Sequence, residues 1–195
     1  MSTARERIAA AFSPDHVGDY TTRLAKILRE HFTTVTTGQG PVLNWRLPPE
    51  NIAAAGQWLD TGAEPPSAER FETLVREVLS RGQNLHHPRY IGHQVPASSP
   101  LAALFDFVGA ATNQVMAVYE MGPWATSVER ALMERLGDRF GLERDTYAGV
   151  VTHGGSLANL TALLTARNVA LSDAWETGVA RPGRPPVLIV HADAH

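Results

Sequence analysis

A chain of 195 residues, 44% hydrophobic and 19% charged, has the composition of an ordinary globular protein. Its 17 Lys and Arg against 20 Asp and Glu leave a formal net charge of -3, which offers no broad basic field to a phosphate backbone and argues against nucleic-acid binding. With no cysteine it can hold no disulfide, thiolate metal ligand or thiol nucleophile, so a reducing compartment is the default and a cytoplasmic location is expected. The apolar run Ile8 to Phe12 is shorter than a secretory signal needs. The stretch Leu101 to Tyr119 is interrupted by Asp106, Asn113 and Gln114, too polar for a membrane span. All basic residues but Lys26 are arginine, so any lysine chemistry within these residues falls to Lys26.

In chain order, Val17, Tyr20, Leu24, Ile27 and Leu28 recur at three and four between Pro14 and His31, a helical stripe. Thr33 to Pro49, rich in Thr, Gly and Pro, reads as an extended linker with a partly buried Trp45. Helices are expected from Pro49 to Leu59 and from Ser67 to Ser80, the second opened by a capping box at Ser67. A Pro/Ser loop, Pro96 to Pro100, leads to an apolar helix from Leu101 to about Thr112. Another helix, from about Trp124 to Phe140, carries Val128, Leu132, Leu136 and Phe140 at steps of four, with Gly141 as its C-terminal cap. The period then changes: Tyr147 to Thr152 predicts a short buried strand, Ser156 to about Leu171 a helix, and Pro186 to His191 the next strand. Strand, helix and strand imply parallel pairing. Two strands make no stable sheet, so the expectation is that the sheet is completed by further polypeptide or another chain.

The chemistry-bearing stretch is Val151-Thr-His-Gly-Gly-Ser-Leu-Ala-Asn, placed between strand and helix. Consecutive glycines let backbone amides approach an anion, the helix end adds unpaired N–H groups and positive dipole, and Ser156 adds a hydroxyl donor. That is a phosphate site in outline. The bland alternative makes Gly154-Gly155 a tight turn and Ser156 an N-cap. A second alternative is the serine-hydrolase elbow, which Gly154-Gly155-Ser156-Leu157-Ala158 nearly matches, although that elbow follows several strands and the residues before it here read as helical. His191-Ala-Asp-Ala-His195 could place His191, Asp193 and His195 on one face as zinc or iron ligands, or simply end a strand. His86, His87 and His93 share no metal-site spacing, and no metal is expected.

Four segments together resemble the front half of the group II pyridoxal-phosphate (PLP)-dependent amino-acid decarboxylases, the family of the glutamate, aromatic-amino-acid and 2,4-diaminobutyrate enzymes. They are His87-Pro-Arg-Tyr with its Pro/Ser loop; Tyr119-Glu-Met-Gly-Pro with Glu129; Thr152-His-Gly-Gly-Ser-Leu-Ala-Asn-Leu with Ala166-Arg; and Val187-Leu-Ile-Val-His-Ala-Asp-Ala-His195. The likeness runs from about Leu47 to the last residue and is sharpest at the glycine turn and the terminal histidine.

The resemblance implies an α/β fold of the PLP-dependent transferase type (fold-type I): an N-terminal helical segment, residues 1–83, that wraps a homodimer partner, then the first part of the large PLP-binding domain, residues 84–195, on a mostly parallel sheet with helices on its faces. It implies that Gly154, Gly155 and Ser156 hold the cofactor phosphate and that His195 stacks on the pyridine ring as a catalytic residue. His93 and Gln94 match a loop near the substrate, an L-amino acid bound at the subunit interface. Two features depart from the family: no lysine or acid here matches those that hold the cofactor's aldehyde carbon and pyridinium nitrogen, and His153 replaces a small residue. Two further readings stay open, a non-catalytic fragment or accessory chain of the same fold, and a different PLP reaction such as an aldolase or an oxidative deamination.

Overall fold

The computed structural model describes residues 3–59, 67–92, 94–179 and 186–193. The chain divides into two compact units, Met1–Val108 and Gly109–His195.

The first unit is helical. Helix α1 (Ala4–Ala11) opens on a capping box in which the Thr3 hydroxyl accepts from the Glu6 amide and the Glu6 carboxylate accepts from the Thr3 amide. The Glu6 carboxyl is held below its ordinary value chiefly by its bond from the Thr3 amide and then by the Thr3 side chain. Helix α2 (Pro14–Thr36) begins with Pro14 in its first turn, where a missing N–H costs nothing, and runs five residues past the point expected from the apolar stripe. At its C-terminal end Thr34 and Thr36 each return their hydroxyl to the carbonyl four residues back, so residues expected as linker lie within the helix.

Helices α3 (Pro48–Leu59) and α4 (Ala68–Arg81) follow as expected. Ser67 caps α4 by accepting from the Arg70 amide, but arginine at the third position cannot return a bond, so half of the expected capping box forms. Helix α4 packs on α2 through a stacked Tyr20–Phe71 pair with centroids 4.9 Å apart. Ion pairs Arg23–Glu72 and Arg76–Glu30 flank it at 2.6 and 3.0 Å. Ile27 and Val35 of α2 are the buried apolar side chains of this unit among the described residues.

Trp45 is 72% exposed, correcting its expected partial burial. Its segment is held by backbone and amide bonds instead, with a Leu43–Gln83 bridge, Asn44 Nδ2 donating to the Gly82 carbonyl, and Asn84 Nδ2 to that of Pro41. These bonds seat the His87-Pro-Arg-Tyr turn, in which buried His87 accepts the Arg89 amide on Nδ1. Helix α5 (Pro100–Thr112) follows the Pro/Ser loop and is exposed along its length.

In the second unit a short 3-10 turn, Tyr119–Met121, leads into α6 (Pro123–Phe140). Gly141 ends α6 at φ 71° with the paired bonds of a Schellman cap, Gly141 N–H to the Asp138 carbonyl and Leu142 N–H to that of Gly137. Helices α7 (Gly155–Ala170) and α8 (Ala174–Thr177) follow, with Ala174 buried between them.

No strand ladder forms among the described residues, so neither expected strand is confirmed as part of a sheet. Residues 147–151 are not the buried strand expected: Val150 and Val151 are exposed. Val187 and Ile189 are likewise 81% and 91% exposed. An extended segment cannot satisfy its own N–H and C=O groups, so a short apolar run alone gives no sheet where no neighbouring strand supplies the ladder.

Candidate functional site

The site is built from α6 upward. Past the Gly141 cap, Arg144 turns back onto the helix and grips the Asp138 carboxylate with two bonds, Nε to Oδ1 at 3.1 Å and Nη2 to Oδ2 at 2.6 Å. The guanidinium holds the Asp138 carboxyl below its ordinary range, chiefly through those bonds. Asp145 then takes a left-handed turn, φ 67°, which Asp tolerates better than most residues, and the chain starts back along α6.

Three contacts set the register of this return. Tyr147 lies over Gly137, where a Cβ would fall on the phenol, and its hydroxyl donates to the Glu134 carbonyl at 2.9 Å. Gly149 faces Met133 so closely that a Cβ would stand 2.7 Å from the sulfur. The Val151 amide donates to Glu129 Oε1 at 2.7 Å. Residues 147, 149 and 151 thus meet 137, 133 and 129. Two residues of extended chain advance about 6.7 Å. Four residues of helix advance about 6.0 Å, so the two repeats stay nearly in step. Residues 147–151 thus run antiparallel along α6, with alternate residues facing it.

That segment delivers the glycine turn. The Thr152 hydroxyl donates to the Gly154 carbonyl at 3.2 Å, and the Gly154 amide donates to the Thr152 carbonyl at 3.0 Å. Gly154 stands at φ 88° and ψ 163°, a conformation essentially reserved for glycine, and it is the N-cap of α7 with no side-chain cap bond. The first backbone bond of α7 is Ala158 N–H to the Gly154 carbonyl, so the amides of Gly155, Ser156 and Leu157 have no backbone acceptor among the described residues. A Cβ at Gly154 or Gly155 would meet nothing within 4 Å. The turn is therefore an open, exposed set of donors at the positive end of a 16-residue helix. Its chemistry fits a phosphate dianion: amide donors, one hydroxyl and no carboxylate bonded to them.

Ser156, expected as the N-cap, lies in the first turn of α7 two residues past it; Gly154 is the N-cap. Its hydroxyl bonds to no histidine or carboxylate among the described residues, so the elements of a hydrolase triad are not assembled around it. Gln94 lies in an exposed bend of the first unit, in a loop that His86 Nε2 ties by a 2.8 Å contact to the Ser98 carbonyl. His93 and His195 lie outside the described residues. Next to the latter, His191 Nδ1 accepts the Asp193 amide at 3.2 Å, a local turn contact. Among the described residues no group of His, Asp or Glu could hold a metal ion, and no helix is long and apolar enough to cross a membrane.

A cavity of about 150 Å³ lies beside this segment, lined by Arg130, Met133, Glu134, Arg144 and Tyr147. Both arginines there are already matched, Arg130 by Glu134 and Arg144 by Asp138. Its charge is internally balanced, and the uncompensated donors are those of α7. Sequence reasoning missed the contacts of Glu129 and Gly137. The signal for Gly137 was on the page: a glycine inside a strong helical pattern costs about 1 kcal/mol and points to a close approach.

No protein-family model matches the chain. It is 27% identical over 173 residues to the human "Acidic amino acid decarboxylase GADL1", an alignment covering 87% of this chain and 32% of that protein. It is 25% identical over 114 residues to the "L-2,4-diaminobutyrate decarboxylase" of Acinetobacter baumannii, covering 58% of this chain and 22% of that one. The crystal structure of mouse CSAD superposes with a TM-score of 0.71 at 21% identity, covering 85% of this chain and 34% of that one, and the two share a fold. These alignments span 22% to 34% of each of those proteins' length. The residues of the glycine turn and these likenesses agree: the chain is similar to the group II pyridoxal-phosphate-dependent amino-acid decarboxylases.

Proposed function

We propose that this chain is part of a PLP-dependent L-amino-acid decarboxylase, acting as a cytoplasmic homodimer, and that Gly154, Gly155 and Ser156 hold the phosphate. The observation that carries the reading is the uncapped start of α7, where Gly154 stands at φ 88° with no side-chain cap bond and the amides of Gly155, Ser156 and Leu157 have no backbone acceptor among the described residues. When bound, PLP supplies an electron sink for the pair left on the substrate's α-carbon as carbon dioxide departs.

The chain's own residues orient. The start of α7 would hold the cofactor's phosphate with its amides and dipole, and His195 would be the residue that stacks on the ring, the two together orienting the substrate bond that breaks. His93 and Gln94 would contact the substrate. Residues 1–83 wrap the partner subunit and residues 84–195 form the start of the PLP-binding domain. Lys26 belongs to α2 in the first unit and takes no part in the chemistry.

The test is Ser156→Ala in the full-length protein. Loss of a charge-assisted hydrogen bond of about 1.5–3 kcal/mol predicts PLP binding weakened about 10- to 100-fold in a fluorescence or absorbance titration. Unaltered PLP affinity with lost esterase activity would instead make Ser156 a nucleophile and end the phosphate reading.

A further inference from the structure

We propose that Glu129 is a positioning residue for the cofactor phosphate, acting through the Val151 amide; the inference rests on the phosphate reading of the glycine turn. Of the three contacts that lay residues 147–151 on α6, those at Gly137 and Gly149 are close packing, and the one nearest the turn is the Glu129–Val151 hydrogen bond. Only Thr152 and His153 separate Val151 from Gly154, and the bonds within the turn itself join Thr152 to Gly154, which shape it without placing it. No strand ladder supports this segment among the described residues. Glu129 is therefore the last polar tie from the rigid α6 before the phosphate donors.

The carboxylate cannot serve by attracting the ligand, because its charge has the same sign as a phosphate. What it offers is an acceptor at the right reach, and the 2.7 Å bond has the length expected of a charged acceptor. Reach and charge are separable by substitution. Glu129→Gln keeps the reach and an acceptor oxygen while removing the charge. Glu129→Asp keeps the charge and falls one methylene short.

The experiment measures PLP and pyridoxal affinities of the full-length protein for both variants, with Ser156→Ala alongside. Glu129→Gln is expected to bind PLP within about twofold of the parent, and Glu129→Asp about tenfold more weakly, the size of one lost hydrogen bond. Pyridoxal, which lacks the phosphate, should bind all three alike. In Glu129→Asp/Ser156→Ala the loss should be smaller than the product of the single effects, since both act on one turn. Full PLP affinity in Glu129→Asp, a tenfold loss in Glu129→Gln, or equal losses for PLP and pyridoxal would each overturn the positioning role. If Glu129→Asp is unchanged while Ser156→Ala loses PLP, only this inference fails; if Ser156→Ala is also unchanged, the phosphate reading itself fails.

Discussion

Gly154→Ala in the full-length protein is expected to weaken PLP binding by about 5- to 150-fold, because the residue's backbone at φ 88° and ψ 163° costs a side-chain-bearing residue about 1–3 kcal/mol. The cost is one of backbone alone, since a Cβ there would meet nothing within 4 Å. Where it appears depends on ligation. Without cofactor the exposed turn can relax to an ordinary conformation, so the apo melting temperature should move little. With cofactor the strained conformation is required, and the relaxation energy is subtracted from binding. Calorimetry of apo and PLP-bound forms checks the split; a large apo destabilisation with unchanged PLP affinity would show that the turn serves folding and not the ligand.

Gly137→Ala is expected to act in the opposite way, on the fold itself. A Cβ on Gly137 would fall on the Tyr147 ring, and Tyr147 is held in place by its hydroxyl bond to the Glu134 carbonyl. Overpacking of this kind costs about 1–3 kcal/mol, against a gain of about 1 kcal/mol from alanine's helix propensity. Loss of the tyrosine bond adds about 1 kcal/mol more, so the variant should be destabilised by about 2 kcal/mol. For a unit the size of Gly109–His195 that is a fall of about 8–16 °C in melting temperature. Scanning calorimetry checks it. The same substitution at Gly18 of α2, where a Cβ meets nothing within 4 Å, is the control and should be neutral or stabilising. A Gly137→Ala protein that melts no lower than its parent would mean that residues 147–151 do not lie on α6 as described.

How legible the site was depended on the range of the interactions involved. Periodicity located α2, α4, α6 and α7, because a stripe at three and four is a local signal, and Gly141 marked the end of α6 because only a residue content at φ 71° closes a Schellman cap there. The glycine turn was equally legible, since paired glycines before a helix restrict the backbone to few uses. Trp45 was misjudged because burial depends on what covers a residue, which no local pattern states. The sheet stays unconfirmed for the same reason: Val150, Val187 and Ile189 sit in short apolar runs and are exposed, and pairing needs neighbours distant in sequence. Glu129 illustrates the middle case. It stood in a motif noticed for its resemblance, but its bond to Val151, 22 residues on, became visible only when α6 and the returning segment were laid side by side.

The measurement closest to the central claim is the ratio of PLP to pyridoxal affinity in the full-length protein. If the amides of Gly155 and Ser156 and the Ser156 hydroxyl hold the phosphate, at least two charge-assisted bonds of about 1.5–3 kcal/mol distinguish the two ligands, and PLP should bind at least about 100-fold more tightly. Equal affinities within about threefold would contradict the account, because the donors at the start of α7 would then contribute nothing to holding the cofactor.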